Sequence, residues 1–330
     1  MNSEVNAPAP SPSGVRILGT AAAGGWPADG CRCASCTRLR AAGIRHAPFD
    51  ALVGGTPWAE CDRTDVPGGH DVRGPSGERV LVAAGPGSRP EPAEGVRYAA
   101  ALLDLAGAPD HLGRLRAGRA VTAETHVAAV HVDHRVPSPA ELERRLGFWL
   151  RPHAGPWRTL LLGGSRSGKS AEAEMRLAAH PDVTYVATGG ARDGDPEWAA
   201  RVAAHRRRRP ARWRTAETTD VAGVLAAADG AVLVDGIGTW LAAAMDETGA
   251  WEDPATAVTR VLPRLDALVA AWRGTAAHVV AVTDEVGLSL VPTTPAGRAF
   301  RDALGLLNQR LAAESEDAAL VVAGRVRDLA

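Results

Sequence analysis

The chain has 330 residues, enough for two domains of ordinary size, each with its own core. Its 37 Lys and Arg against 38 Asp and Glu leave a net charge of −1, which argues against a partner held mainly by bulk charge, such as duplex DNA or an anionic membrane. No apolar run approaches the roughly 18 residues of a membrane-spanning helix, and the opening MNSEVNAPAPSPSG lacks the basic start and apolar stretch of a secretory signal. The expectation is a soluble, cytoplasmic protein with a disordered Pro- and Ser-rich tail over residues 1–14.

Residues 15–150 form the first predicted domain. Short apolar runs there read as strands: VRIL at 15–18, RVLVAA at 79–84, AALLDL at 100–105 and VAAVHV at 127–132. After the first run and a Gly-rich turn come Cys31, Cys33 and Cys36. Three thiols so close suit one tetrahedral Zn²⁺ that still needs a fourth ligand; a redox pair from Cys33 and Cys36, or unpaired structural cysteines, are the alternatives.

A Pro- and Gly-bearing linker over 151–157 precedes a second domain, 158–330. Here strands alternate with helices: TLLLGG (159–164), a helix from about Gly168, VTYVAT (183–188), a helix from about Pro196, AVLVDG (231–236), a helix near Thr239, a long helix from about Pro254, HVVAVT (278–283), a helix from Pro295 and ALVVAG (319–324). That alternation predicts an α/β fold, a mostly parallel sheet with helices on both faces.

Between the first of these strands and its helix, Gly163, Gly164, Ser165, Arg166, Ser167, Gly168, Lys169 and Ser170 fit the phosphate-binding pattern G-x-x-x-x-G-K-[ST]. The glycines let successive backbone N–H groups turn toward one anion, and the helix N-terminus adds partial positive charge. Lys169 is expected on the β- and γ-phosphates and the Ser170 hydroxyl on Mg²⁺. Lys169 is also the chain's only lysine, so a compact ammonium is kept where a planar guanidinium cannot substitute. Asp235, closing a strand, is the expected second metal-facing carboxylate, with a helix N-cap as the alternative.

Asp195 and Pro196 open a predicted helix on which Glu197, Arg201 and His205 recur every four residues and share one face; Arg206 to Arg209 follow. This spacing suits a solvated helix with a basic end. The alternative is an imidazole nucleophile beside cations that hold a triphosphate.

From residue 159 onward the chain resembles the bifunctional adenosylcobinamide kinase/adenosylcobinamide-phosphate guanylyltransferase family. The matching blocks are GGSRSGKS (163–170), His205 before Arg209 and Pro210, RWRTAE (212–217), VDGIGTW (234–240), TDEVGLSLVP (283–292) and FRDALGLLNQRL (300–311), over about half of the chain. The resemblance implies a P-loop domain that uses ATP or GTP with Mg²⁺ to phosphorylate adenosylcobinamide. It then implies transfer of GMP from GTP, through a covalent guanylyl-histidine at His205, to give adenosylcobinamide-GDP. It makes Glu217 and Glu285 candidates for nucleotide contact, leaves Asn308, Gln309 and Arg310 between fixing a helix and touching substrate, and implies a homo-oligomer. The departures are Asp284, where the family usually has Asn, and Ser289, where Gly is common.

The opening ILGTAAAGGWPADGCRCASC resembles metallo-β-lactamase-fold phosphodiesterases that carry a Cys₃His structural zinc. Their histidine lies in a late H-x-x-H stretch, here His131 to His134. The resemblance therefore assigns the fourth ligand to His134 and leaves His131 as the relic of a catalytic ligand, with His111 as the alternative ligand. The hydrolase signature H-x-H-x-D-H is absent, and Ala83 and Ala84 stand where its bridging aspartate is expected. The expectation is a trimmed domain without a dinuclear centre. Two rival functions stay open: a phosphodiesterase working through the first domain, and a non-catalytic nucleotide-binding module.

Overall fold

The computed structural model describes residues 14–151, 153, 155–190, 203, 206–207 and 209–329. Two compact units divide the chain between residues 152 and 153, with 178–181 grouped with the first.

The first unit holds β1 (Val15–Gly19), α1 (Ala34–Ala41), β2 (Asp50–Val53), β3 (Thr56–Pro57), β4 (Asp62–Val66), β5 (Gly69–Arg73), β6 (Arg79–Ala83), β7 (Ala100–Leu103), α2 (Pro109–Ala117), β8 (His126–Ala129) and α3 (Pro139–Leu150). The antiparallel strands β1-β2-β3 make one sheet, and β4-β5-β6-β7-β8 make a second. In the second sheet β4, β5 and β6 pair antiparallel, while β6, β7 and β8 run parallel. Val15, Val53, Val80, Val82 and Leu102 lie in one core cluster. Helix α3 starts at a clear signal: the Ser138 hydroxyl accepts from the Glu141 N–H at 3.2 Å and Pro139 takes the first turn.

Two expected strands end early. AALLDL stops at Leu103 because the buried Asp104 carboxylate turns away to accept from the Gly107 N–H at 3.1 Å and from the Arg135 guanidinium. VAAVHV stops at Ala129, and Val132 instead bridges to Ala21.

The second unit holds β9 (Trp157–Gly163), α4 (Lys169–Leu177), β10 (Val183–Ala187), β11 (Arg214–Glu217), α5 (Val221–Ala227), β12 (Ala231–Asp235), α6 (Ile237–Glu247), α7 (Ala257–Gly274), β13 (His278–Asp284), α8 (Pro295–Ala313), β14 (Asp317–Val322) and β15 (Arg325–Asp328). Its seven strands lie in the order β11-β10-β12-β13-β9-β14-β15, parallel throughout except for the β14–β15 hairpin. Strands β12 and β13 are continuous apolar runs because both faces are covered. On one face α4 packs over Leu161, Val183, Leu233 and Val280. On the other, residues of α5 to α8 cluster with Leu160, Val232, Val234 and Val279.

Trp157, expected in the linker, is the first residue of β9. The helix expected from Pro254 begins at Ala257, because the Asp253 carboxylate builds a turn with the Thr256 hydroxyl and the Ala255 N–H at 2.7 and 3.2 Å. The helix expected from Asp195, with Glu197, Arg201 and His205, lies outside the described residues.

Candidate active site

Strand β9 ends at Gly163 and α4 begins at Lys169, so the G-x-x-x-x-G-K-S segment is a loop between them. Gly163 has no room for a side chain: a Cβ would stand 2.6 Å from the Val321 carbonyl and 2.5 Å from Ser167 Oγ. Gly168 takes φ +101°, a conformation open to glycine, and packs against Gly324 in the β14–β15 turn. The Gly324 N–H donates to the Ser167 carbonyl at 2.7 Å, so that hairpin forms the floor of the loop. Ser167 is buried beneath it.

Lys169 is buried, and its Nζ donates to the Gly164 carbonyl at 3.0 Å and to Asp284 Oδ1 at 2.9 Å. Ser170 Oγ donates to Asp235 Oδ1 at 3.4 Å, bringing the two expected Mg²⁺ ligands together. Their donor set, one hydroxyl and one carboxylate at a helix start, fits a hard divalent cation that keeps most of its water. The other Asp235 oxygen accepts from the Tyr185 hydroxyl at 2.7 Å. Burial, reinforced by that carboxylate, pushes the Tyr185 hydroxyl far above the usual phenol range. The Arg209 guanidinium carbon lies 3.7 Å from the Tyr185 ring centroid, a cation–π contact. The turn after Asp235 is pinned by Thr188, whose hydroxyl donates to the Gly236 carbonyl at 2.6 Å and accepts from the Gly236 N–H at 3.1 Å.

Asp284 comes to Lys169 because β13 is the direct neighbour of β9, with Asp284 in register with Gly163. Asn308 holds this strand end: it accepts from the Thr283 hydroxyl at 2.7 Å and donates to the Asp284 carbonyl at 3.1 Å. The role left open for Asn308 is thus to fix strand and helix together. Arg310 ties α8 to Asp266 of α7 at 2.6 Å, and Gln309 is exposed. The Glu285 N–H donates to the Gly163 carbonyl at 3.2 Å, while its carboxylate turns back to accept from the Gly287 N–H at 2.9 Å. Glu217 ends the edge strand β11 and pairs with Arg206, the residue after His205. Residue-by-residue motif reading missed Tyr185, Thr188 and Gly324, which carry no pattern of their own.

In the first unit Cys31, Cys33, Cys36 and His134 each place a ligand atom within 4.8 Å of all the others. A tetrahedral Zn²⁺ with sulfur ligands needs them about 3.8 Å apart, so the set fits with a small closure. The Cys36 N–H lowers the pKa of the Cys33 thiol, whereas burial raises that of Cys36 to about 11. Trp26 Nε1 donates to Ser35 Oγ at 3.0 Å, and Ser35 Oγ to the Val136 carbonyl at 2.7 Å, which binds the cysteine loop to the His134 segment. His131 and His111 stand outside this set: His131 Nε2 meets the Ala83 carbonyl at 2.8 Å and His111 Nε2 the Pro90 carbonyl at 3.0 Å.

A glycine cradle, an ammonium, a hydroxyl and a carboxylate at the C-terminal edge of a parallel sheet define a P-loop phosphate-binding protein. Residues 159–329 match the family described as cobinamide kinase / cobinamide phosphate guanyltransferase, and the chain belongs to it. Among known proteins it is 40% identical over 174 residues to the bifunctional adenosylcobalamin biosynthesis protein CobU of Salmonella typhimurium, covering 50% of this chain and 95% of that protein. The Escherichia coli protein of the same name is 36% identical over 174 residues, 50% of this chain and 95% of its own length. The bifunctional adenosylcobalamin biosynthesis protein CobP of Pseudomonas aeruginosa is 38% identical over 173 residues, 51% of this chain and 94% of that protein.

Proposed function

We propose that the second unit carries out both reactions of its family on one nucleotide-handling edge. In the first, the aminopropanol hydroxyl oxygen of adenosylcobinamide attacks the γ-phosphorus of ATP or GTP. The bond to the β–γ bridging oxygen breaks, the nucleoside diphosphate leaves and the hydroxyl proton is released. In the second, an imidazole nitrogen of His205 attacks the α-phosphorus of GTP and pyrophosphate leaves. A phosphate oxygen of the first product then attacks that phosphorus, the N–P bond breaks, and adenosylcobinamide-GDP leaves with His205 restored.

The cradle N–H groups and Lys169 orient the phosphates. Ser170 and Asp235 would hold Mg²⁺, which supplies charge neutralisation on the phosphate oxygens when bound. The observation that carries the joint assignment is Arg209 on the ring of Tyr185, whose hydroxyl holds Asp235. It supports the reading because Arg209, four residues after His205 in the sequence, lies against the P-loop edge. Incubation with α-labelled GTP tests it: the expected adduct is acid-labile, alkali-stable and absent from His205→Ala. Equal labelling of wild type and variant would overturn the nucleophile assignment.

For the first unit the reading is a trimmed metallo-β-lactamase-like domain with one structural zinc on Cys31, Cys33, Cys36 and His134. Their convergence supports it. A cytoplasmic homo-oligomer completes the proposal, following the family resemblance; sedimentation of the purified protein tests the assembly.

A further inference from the structure

Lys169 is held by two oxygens of the protein itself. Its buried ammonium is shared between the Gly164 carbonyl at 3.0 Å and Asp284 Oδ1 at 2.9 Å. Strands β12 and β13 are in register with Asp235 against Val282, so Asp284, two residues further, projects to the same face of the sheet as Asp235. The Asp284 side chain is 46% exposed, open to the space above the loop. Its other oxygen lies over Gly238, where a Cβ would come within 2.8 Å of it. The chain thus leaves room for this carboxylate on one side, and Asn308 fixes its backbone on the other.

We propose that Asp284 makes phosphate binding at the cradle contingent on a divalent cation, an inference that rests on the assignment of this loop as the nucleotide site. Without a cation, a triphosphate meets two carboxylates on the same face and a lysine that one of them already neutralises. A unit charge at about 5 Å, in the dielectric of a protein surface, weakens anion binding by about two orders of magnitude. With a cation between carboxylates and phosphates the sign reverses, and the Asp284 charge assists. Asn at this position keeps a hydrogen bond acceptor for Lys169 and removes the charge.

Calorimetric titration of GTP into the full chain, in EDTA and in MgCl₂, tests this on wild type, Asp284→Asn, Asp284→Ala and Asp284→Glu. In EDTA, Asp284→Asn and Asp284→Ala should bind about a hundredfold more tightly than wild type, and Asp284→Glu should restore the wild-type value. In MgCl₂ neither neutral variant should gain affinity. Equal EDTA affinities for wild type and Asp284→Asn, with Mg²⁺-dependent binding intact, overturn this proposal alone. Wild type that fails to bind GTP even with Mg²⁺, while its circular dichroism is that of a folded protein, overturns the nucleotide assignment and this proposal with it.

Discussion

Lys169 Nζ sits between a carbonyl and a carboxylate in a buried slot, where a point charge with freely rotating donors is accommodated and a planar fork is not. Lys169→Arg should therefore cost at least about 100-fold in kcat/KM for the kinase step, while the circular dichroism spectrum stays that of the folded protein. Steady-state assays beside circular dichroism check both halves. Asn308 calls for a different measurement. Replacing it by Leu strands the Thr283 hydroxyl and one acceptance at the Asp284 carbonyl, and urea unfolding should show a loss of about 1–3 kcal/mol. Lys169 was legible from composition alone, since a single exception among 37 basic residues needs a reason. The partner of Asn308 was not, because it depends on how α8 lies on β13.

The elements divide by the same logic. Strands β9, β12 and β13 each carry an apolar stretch buried on both faces, so their order along the chain was evident. The exposed β4, reading Asp-Arg-Thr-Asp-Val, and the edge strand β11 have no such run; only hydrogen bonding to a neighbour makes them strands. Within the site, the cradle is local in sequence and was found as a motif. The Asp284–Lys169 pair depends on β13 lying beside β9, which no spacing reports. Two outcomes belong to this scale. Gly324 takes φ +71°, so Gly324→Val should lose about 1–2 kcal/mol of stability and also weaken GTP binding through the loop it supports. The Arg158 guanidinium, at the start of β9, holds the Glu316 carboxyl just before β14 at about 2 instead of the ordinary 4.5. A depressed carboxyl binds its proton more weakly in the folded state, so the pair's contribution is complete above pH 4.5 and lost as pH falls toward 2. In Arg158→Met, stability should change less with pH across that window than in wild type, as read by denaturant midpoints.

At the scale of the whole molecule, two units with separate cores should not unfold as one. Calorimetry is expected to resolve two transitions. A strong chelator should lower the one belonging to the unit that brings Cys31, Cys33, Cys36 and His134 together, and Mg²⁺ with GTP should raise the other. Metal analysis should find one zinc per chain, lost in His134→Ala and kept in His131→Ala. A count of two or more catalytic metals would instead favour a working phosphodiesterase. The cysteine triplet stood out in the sequence as a cluster that could share one ion. Its histidine came by resemblance, since nearly a hundred residues of chain separate it from the thiols and only folding brings it back.

The hairpin floor under the P-loop has a consequence for biosynthesis. The loop is translated early in its unit, yet the backbone N–H that closes beneath it belongs to Gly324. During synthesis the nascent loop has its full motif but not its support until the β14–β15 hairpin has also been made. A phosphate cradle built on this floor would take its final shape only after β14 and β15 have joined the sheet.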